Sequence, residues 1–227
     1  MAYETAAPLF KRRPRLNRRL GAAAVILLTL AVAALDAAPA LAAKKLLVIG
    51  DSIAAGYGLP AEQAFPAKLE EALRKRGHDV KVINGGISGD TTAGGKARLA
   101  WALASKPDFV IIELGGNDGL RGLDPADTRA NLDAMLATLR KADIPVLLTG
   151  MMAPRNLGPE YQKAFDAIFP ALAKKHGVQL YPFFLDGIAL DPAFNQPDLI
   201  HPNPKGVAVI VERILPAVEK LVGKPGD

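Results

Sequence analysis

The chain contains no cysteine among its 227 residues. Disulfides, a thiolate nucleophile and lipid-modified cysteine are therefore excluded. Histidine is scarce too: His78, His176 and His201 are the whole supply, with no His-x-x-x-His pair and no clustered carboxylates. A metal site has nothing to build on, so no metal is expected. No G-x-G-x-x-G or Walker loop opens the first helical pattern, and no nucleotide or other cofactor is expected. Internal repeats, low-complexity tracts and a linker long enough to split the domain are also missing.

The basic excess is less general than it looks. The formal net charge is +5, from 28 Lys and Arg against 23 Asp and Glu. Lys11, Arg12, Arg13, Arg15, Arg18 and Arg19 all precede an apolar stretch from Leu20 to Leu35, and small residues then run through Ala40-Leu41-Ala42. A basic region, a moderate apolar run and an A-x-A site describe a secretory signal peptide over residues 1–42. The apolar run is short for a bilayer span of about 20 residues. Removing that segment takes away six basic residues with Glu4 and Asp36, leaving 22 basic and 21 acidic. The remainder, residues 43–227, is near neutral, and a nucleic-acid partner loses its support. The expectation is a single exported domain, periplasmic or secreted and monomeric, without stable membrane insertion. Lacking cysteine, it holds together by core packing alone.

From residue 45 onward, apolar β-rich runs alternate with helical patterns. Strands are expected at Lys45–Ile49, Val80–Ile83, Phe109–Leu114, Pro145–Thr149 and Val178–Tyr181. Helices are expected at Glu62–Arg76, Thr92–Ala104, Pro125–Lys141, Pro159–His176 and Pro204–Leu221, with Leu132, Met135, Leu136 and Leu139 the clearest apolar face. Near-continuous apolar strands suit a parallel sheet covered on both faces. The class is α/β: a three-layer α/β/α sandwich with a five-stranded parallel sheet and right-handed crossovers. Ligands in such sheets sit at the carboxyl ends of the strands.

The polar motifs fall at those ends. Gly50-Asp51-Ser52 follows the first strand, Asn84 to Asp90 the second, and Gly115-Gly116-Asn117-Asp118 the third. Asp198-Leu199-Ile200-His201 precedes the last helix. A serine hydroxyl becomes a nucleophile when a base removes its proton and a third group fixes the base's tautomer. Ser52, His201 and Asp198 are candidates for those parts. Oxyanion donors are the next requirement, and the backbone N–H groups of Ser52 and Gly89 and the side-chain amide of Asn117 are candidates.

Four ordered blocks resemble the SGNH or GDSL lipase/esterase superfamily: Gly50-Asp51-Ser52, the Gly89 loop, Gly116-Asn117-Asp118, and Asp198 to Asn203. Ile87 to Thr91 and Glu113 to Gly122 look most like its thioesterase I/protease I/lysophospholipase group. The likeness runs from about residue 45 to about residue 215. It implies a flavodoxin-like sheet, Ser52 as nucleophile, His201 as base, Asp198 orienting it, and Ser52, Gly89 and Asn117 as the oxyanion hole. The implied partner is a small acyl ester or thioester. A carbohydrate acetylesterase of the same superfamily is the rival, and a non-catalytic binding module the alternative from another class.

Asn84-Gly85-Gly86 is richer in glycine than the resemblance leads one to expect, which would loosen the loop after the second strand. Gly150 to Pro154 also departs from the group's pattern, leaving acyl-chain preference open. Met151 and Met152 lie past the fourth strand, where flexible thioethers suit a varied apolar ligand, and are candidate substrate contacts. Asp51 reads as a turn residue. His78 and His176 read as structural surface residues, the latter favoured by its place in the last turn of a helix.

Overall fold

A computed structural model describes residues 1–2 and 43–225. The expected signal peptide and its cleavage site lie outside the described residues. Within the domain, five strands form one parallel sheet: β1 (Lys44–Gly50), β2 (Val80–Gly86), β3 (Phe109–Glu113), β4 (Val146–Thr149) and β5 (Gln179–Tyr181), in the order β2-β1-β3-β4-β5. Leu46 to Ile49, Val110 to Ile112 and Val146 to Leu148 are buried, as a sheet with two covered faces requires.

The helices form the outer layers. On one face α2 (Phe65–Lys75) packs against α8 (Pro204–Val222). On the other, α5 (Pro125–Lys141) packs against both α3 (Thr92–Ala102) and α7 (Ile168–His176). The chain steps outward from β1 to β2 and then reverses to reach β3. Right-handed crossovers must therefore place α2 and α3 on opposite faces, and the reversal leaves a crevice at the carboxyl ends of β1 and β3. The short helices α1 (Ser52–Ala55) and α4 (Gly116–Leu120) begin at that crevice.

Local chemistry explains the elements. Asp124 caps α5 by accepting from Ala126 N, and Pro125 occupies the first turn. Leu132, Met135, Leu136 and Leu139 are fully buried along its inner face, each contributing about 1.5–3 kcal/mol by removal from water.

Two expectations change. The segment Pro159–His176 is two helices, α6 (Pro159–Asp166) and α7, not one. Pro170 has no N–H to donate to the carbonyl four residues earlier, and its ring crowds that carbonyl, so the break falls at Asp166–Ala167. Asn84-Gly85-Gly86 is not a loose loop but the paired end of β2, in register with Val48, Ile49 and Gly50. A Cβ at Gly86 would lie 2.2 Å from Ala55 N, so glycine there lets α1 lie against the sheet.

Candidate active site

Ser52 opens α1 immediately after Asp51, whose Oδ1 accepts the N–H of Ile53 at 3.0 Å and caps the helix. The serine is thereby held at the crevice, 9 % exposed. The chain returns to it through the connection between β5 and α8. There Leu199 takes φ +60°, an unusual conformation for a side chain larger than glycine, and the turn lets Asp198 Oδ1 accept from the backbones of Ile200 and His201 at 2.9 and 3.0 Å. Asp198 Oδ2 faces His201 Nδ1 at 2.7 Å, and His201 Nε2 faces Ser52 Oγ at 2.9 Å. The sequence-expected trio is brought together as one hydrogen-bonded line.

The bonds set the proton positions. Asp198 is held down at about 2, chiefly by the backbone N–H of His201 and next by its ring. It stays a carboxylate, so Nδ1 carries the hydrogen and Nε2 is left to accept from the serine hydroxyl. The ring of Tyr57 lies on the histidine, with centroids 4.4 Å apart and planes tilted by 36°.

The other expected residues line the same crevice. Gly89 has φ +83°, a conformation that favours glycine, and among the described residues its N–H meets no acceptor, nor does that of Ser52. Asn117 Nδ2 donates to Asp90 O at 2.9 Å and to Asp51 Oδ2 at 3.2 Å, so its hydrogens are shared among neighbours in the free site. Arg98 ties the first two strand ends together, with Nε on Asp90 Oδ2 at 2.6 Å and Nη2 on Gly50 O at 2.9 Å. Arg121 Nη2 donates to Gly89 O at 2.8 Å. Of the two methionines, Met151 is 4 % exposed and part of the core, whereas Met152 is 50 % exposed.

Below the serine lies a pair of acids. Asp51 is buried and pushed up to about 6, mainly by that burial. Glu113, at the end of β3, is wholly buried, and its Oε2 accepts Asp51 N at 3.1 Å. Burial first, and the neighbouring Asp51 charge second, push Glu113 well above the usual carboxylate range. Its Oε1 has no partner among the described residues. The sequence signal was available: Phe109 to Glu113 is an apolar strand ending in an acid. Arg98 and Tyr57 carried no comparable signal.

The remaining histidines are not surface residues. His78 and His176 are 6 % and 8 % exposed, and each faces a carboxylate: His176 Nε2 meets Asp133 Oδ1 at 2.6 Å, and His78 Nε2 meets Glu219 Oε1 at 3.4 Å. Both precede strands and so sit at the edge opposite the crevice. A groove of about 600 Å³ runs between the start of α5 and the length of α6 and is lined by none of the relay residues. Among the described residues no helix is long and apolar enough to cross a membrane.

A serine, an imidazole and a carboxylate in line at the switch point of a doubly wound parallel sheet, with free N–H groups alongside, define the class as a serine acyl hydrolase. The chain belongs to the GDSL-like Lipase/Acylhydrolase family, which matches residues 48–209. It is 44 % identical over 182 residues to "Esterase TesA" of Pseudomonas aeruginosa, covering 80 % of this chain and 90 % of that one. It is 41 % identical over 184 residues to "Thioesterase 1/protease 1/lysophospholipase L1" of Escherichia coli K12, covering 81 % and 87 %. Among solved structures, the psychrotrophic esterase EstA from Pseudoalteromonas sp., inhibited by monoethylphosphonate, superposes with a TM-score of 0.74 at 32 % identity, covering 78 % of this chain and 97 % of that one. Family and fold agree on an enzyme that hydrolyses esters or thioesters.

Proposed function

We propose that Ser52 is the nucleophile of an exported acyl hydrolase, with His201 as its general base and Asp198 as the group that orients the imidazole. The observation that carries this reading is the continuous line from Asp198 Oδ2 through His201 to Ser52 Oγ, at 2.7 and 2.9 Å. Ser52 Oγ bonds to the acyl carbonyl carbon as His201 Nε2 takes its proton. The oxyanion is received by the N–H groups of Ser52 and Gly89 and by Asn117, which gives up the longer of its two bonds, the one to Asp51. Collapse expels the alcohol or thiol, which takes the proton from His201. Water then enters, gives its proton to His201, and releases the acid from the acyl-serine.

The substrate is a small ester or thioester with a flexible acyl chain. Met152 supplies an apolar contact beyond β4, with Met151 packed behind it as part of the floor. The amino-terminal 42 residues address the chain for export, and the domain acts as a periplasmic or secreted monomer.

A fluorophosphonate probe tests the nucleophile. It should label the wild-type protein once and leave Ser52→Ala unlabelled, with loss of p-nitrophenyl ester hydrolysis. His201→Ala should lose nearly as much, and the double variant little more than either single, because the two groups act as a unit. A folded Ser52→Ala protein that still hydrolysed esters would refute the assignment.

A further inference from the structure

The relay depends on two chain segments that are remote in sequence. Ser52 and His201 are 149 residues apart, and the hydrogen bond between them is 2.9 Å long. Such a bond contributes roughly 0.5–1.5 kcal/mol net, too little to hold a surface loop in one place. Among the described residues, one other hydrogen bond crosses from residues 182–203 to residues 50–60. It is Gln196 Nε2 to Tyr57 O, at 2.8 Å.

Gln196 is built into both sides of that crossing. Its Nε2 also donates to Pro202 O at 3.1 Å, and its backbone N donates to His201 O at 2.7 Å. The loop bearing Asp198 and His201 is thus closed at its base by the same residue that reaches across to the nucleophile's segment. On the far side its Oε1 lies against Gly58, where φ is +73° and a Cβ would come within 2.2 Å of that oxygen. The carbonyl that Gln196 grips belongs to Tyr57, whose ring rests on the His201 imidazole. One amide therefore sets the backbone that carries the Tyr57 ring and the backbone that carries the base.

We infer that Gln196 is a positioning residue for catalysis, a clasp that holds His201 over Ser52. It touches neither substrate nor the transferred proton, and it acts through the placement of the imidazole. This rests on the assignment of Ser52 and His201 as nucleophile and base. Misplacing a reacting group by about 1 Å costs on the order of 10²-fold in rate, so a residue that fixes the imidazole only to that tolerance already governs kcat.

Three variants, Gln196→Ala, Gln196→Glu and Ser52→Ala, test it with p-nitrophenyl acetate. Gln196→Ala should lower kcat roughly 10- to 100-fold, with KM and thermal midpoint near the wild-type values. Gln196→Glu preserves the shape but, when ionised, aims a carboxylate at two carbonyls. Its kcat relative to wild type should therefore rise as the pH is lowered and the carboxyl regains a donor proton. A purely structural role would not move that ratio. Wild-type kcat in Gln196→Ala, a loss carried by KM, or a Gln196→Glu ratio independent of pH would each overturn the clasp. Should Gln196→Ala not fold, the ratio for the isosteric Glu variant decides. Activity in folded Ser52→Ala would instead refute the nucleophile, an outcome distinct from an inactive Ser52→Ala beside a fully active Gln196→Ala.

Discussion

Glu113→Gln isolates the cost of placing a buried acid beside the Asp51–Ser52 turn. In the folded protein Glu113 is wholly buried, and burial with the adjacent Asp51 charge raises it well above its ordinary value of 4.5. The unfolded chain returns it to that ordinary value. Above pH 4.5 the unfolded state has therefore released this proton while the folded state still holds it. Folding then takes up a proton, so stability contributed by the group is present below the unfolded value and lost as the pH rises toward the folded one. Glutamine has no such dependence, and its carbonyl oxygen can still accept Asp51 N.

Linkage sets the slope: from about pH 5 upward the variant should gain on wild type by at most about 1.4 kcal/mol per pH unit, for as long as folded Glu113 keeps its proton. Asp51 titrates in the same range, at about 6, and its slope cancels in the difference only while Glu113 stays protonated, because the two carboxyls act on each other. The amide NH₂ takes the place of the unpartnered Oε1, which shifts the whole curve by a constant without changing its slope. Urea unfolding followed by circular dichroism at several pH values measures the difference directly. Ester hydrolysis should persist in the variant, because the bond that fixes the Asp51–Ser52 turn is kept. A stability gap independent of pH would show that Glu113 is ionised in the fold and would refute the reasoning.

Asn117→Ala should lower kcat roughly 10²–10³-fold with KM little changed, checked with a soluble p-nitrophenyl ester; near-normal turnover would return Asn117 to a purely structural part. Met152→Ala should reduce kcat/KM for an octanoyl ester by about 5-fold more than for an acetyl ester, since a half-exposed thioether offers about 1 kcal/mol of apolar contact; an unchanged ratio would place the acyl chain elsewhere. N-terminal sequencing of the exported protein should begin at residue 43 or 44, whereas retention of Leu20 to Leu35 would mean a membrane-anchored enzyme.

The layers of the fold were legible because buried strands and amphipathic helices leave different periodicities. Pro125 to Lys141 was readable end to end from its cap, its proline and its four inward apolar residues. Boundaries failed where a short-range rule was overlooked or a long-range contact decided. Pro170 splits Pro159–His176 through a hydrogen bond it cannot make. Gly85 and Gly86 looked like loop residues because glycine usually marks a turn, but α1 crosses too close to Gly86 for any side chain, and a Cβ at Gly85 would lie 2.8 Å from Val48 O of β1. The relay was legible because serine and histidine are scarce here, Ser52 directly follows the first strand, and Asp198 lies three residues before His201. What supports it was not, because Gln196, Tyr57 and Arg98 act across gaps in sequence that no local pattern encodes. His78 and His176 misled for the same reason: their carboxylates come from α8 and α5.

Asn117 and Asp118 show how adjacent residues divide the work at this edge. The side chain of Asn117 turns toward Asp51 and the Asp90 carbonyl, into the crevice. That of Asp118 turns inward, where it is 2 % exposed. There its oxygens accept Thr92 N at 2.9 Å, Thr92 Oγ1 at 2.5 Å and Thr128 Oγ1 at 3.2 Å, and Asn131 Nδ2 joins at Thr92 Oγ1. A turn carboxylate that had only to cap its own loop would not need partners from α3 and α5. These bonds fasten α4 to the start of α3, one residue past the Gly89-Asp90-Thr91 turn. The donors on Gly89 and Asn117 are therefore fixed relative to each other before substrate arrives. If Gly89 and Asn117 receive the oxyanion as proposed, the one bond to be released is the longer Asn117 bond to Asp51, and a site that reorganises so little stabilises developing charge better than one that must be rebuilt. In the proposed mechanism the buried polar network therefore serves the oxyanion site as well as the stability of the fold.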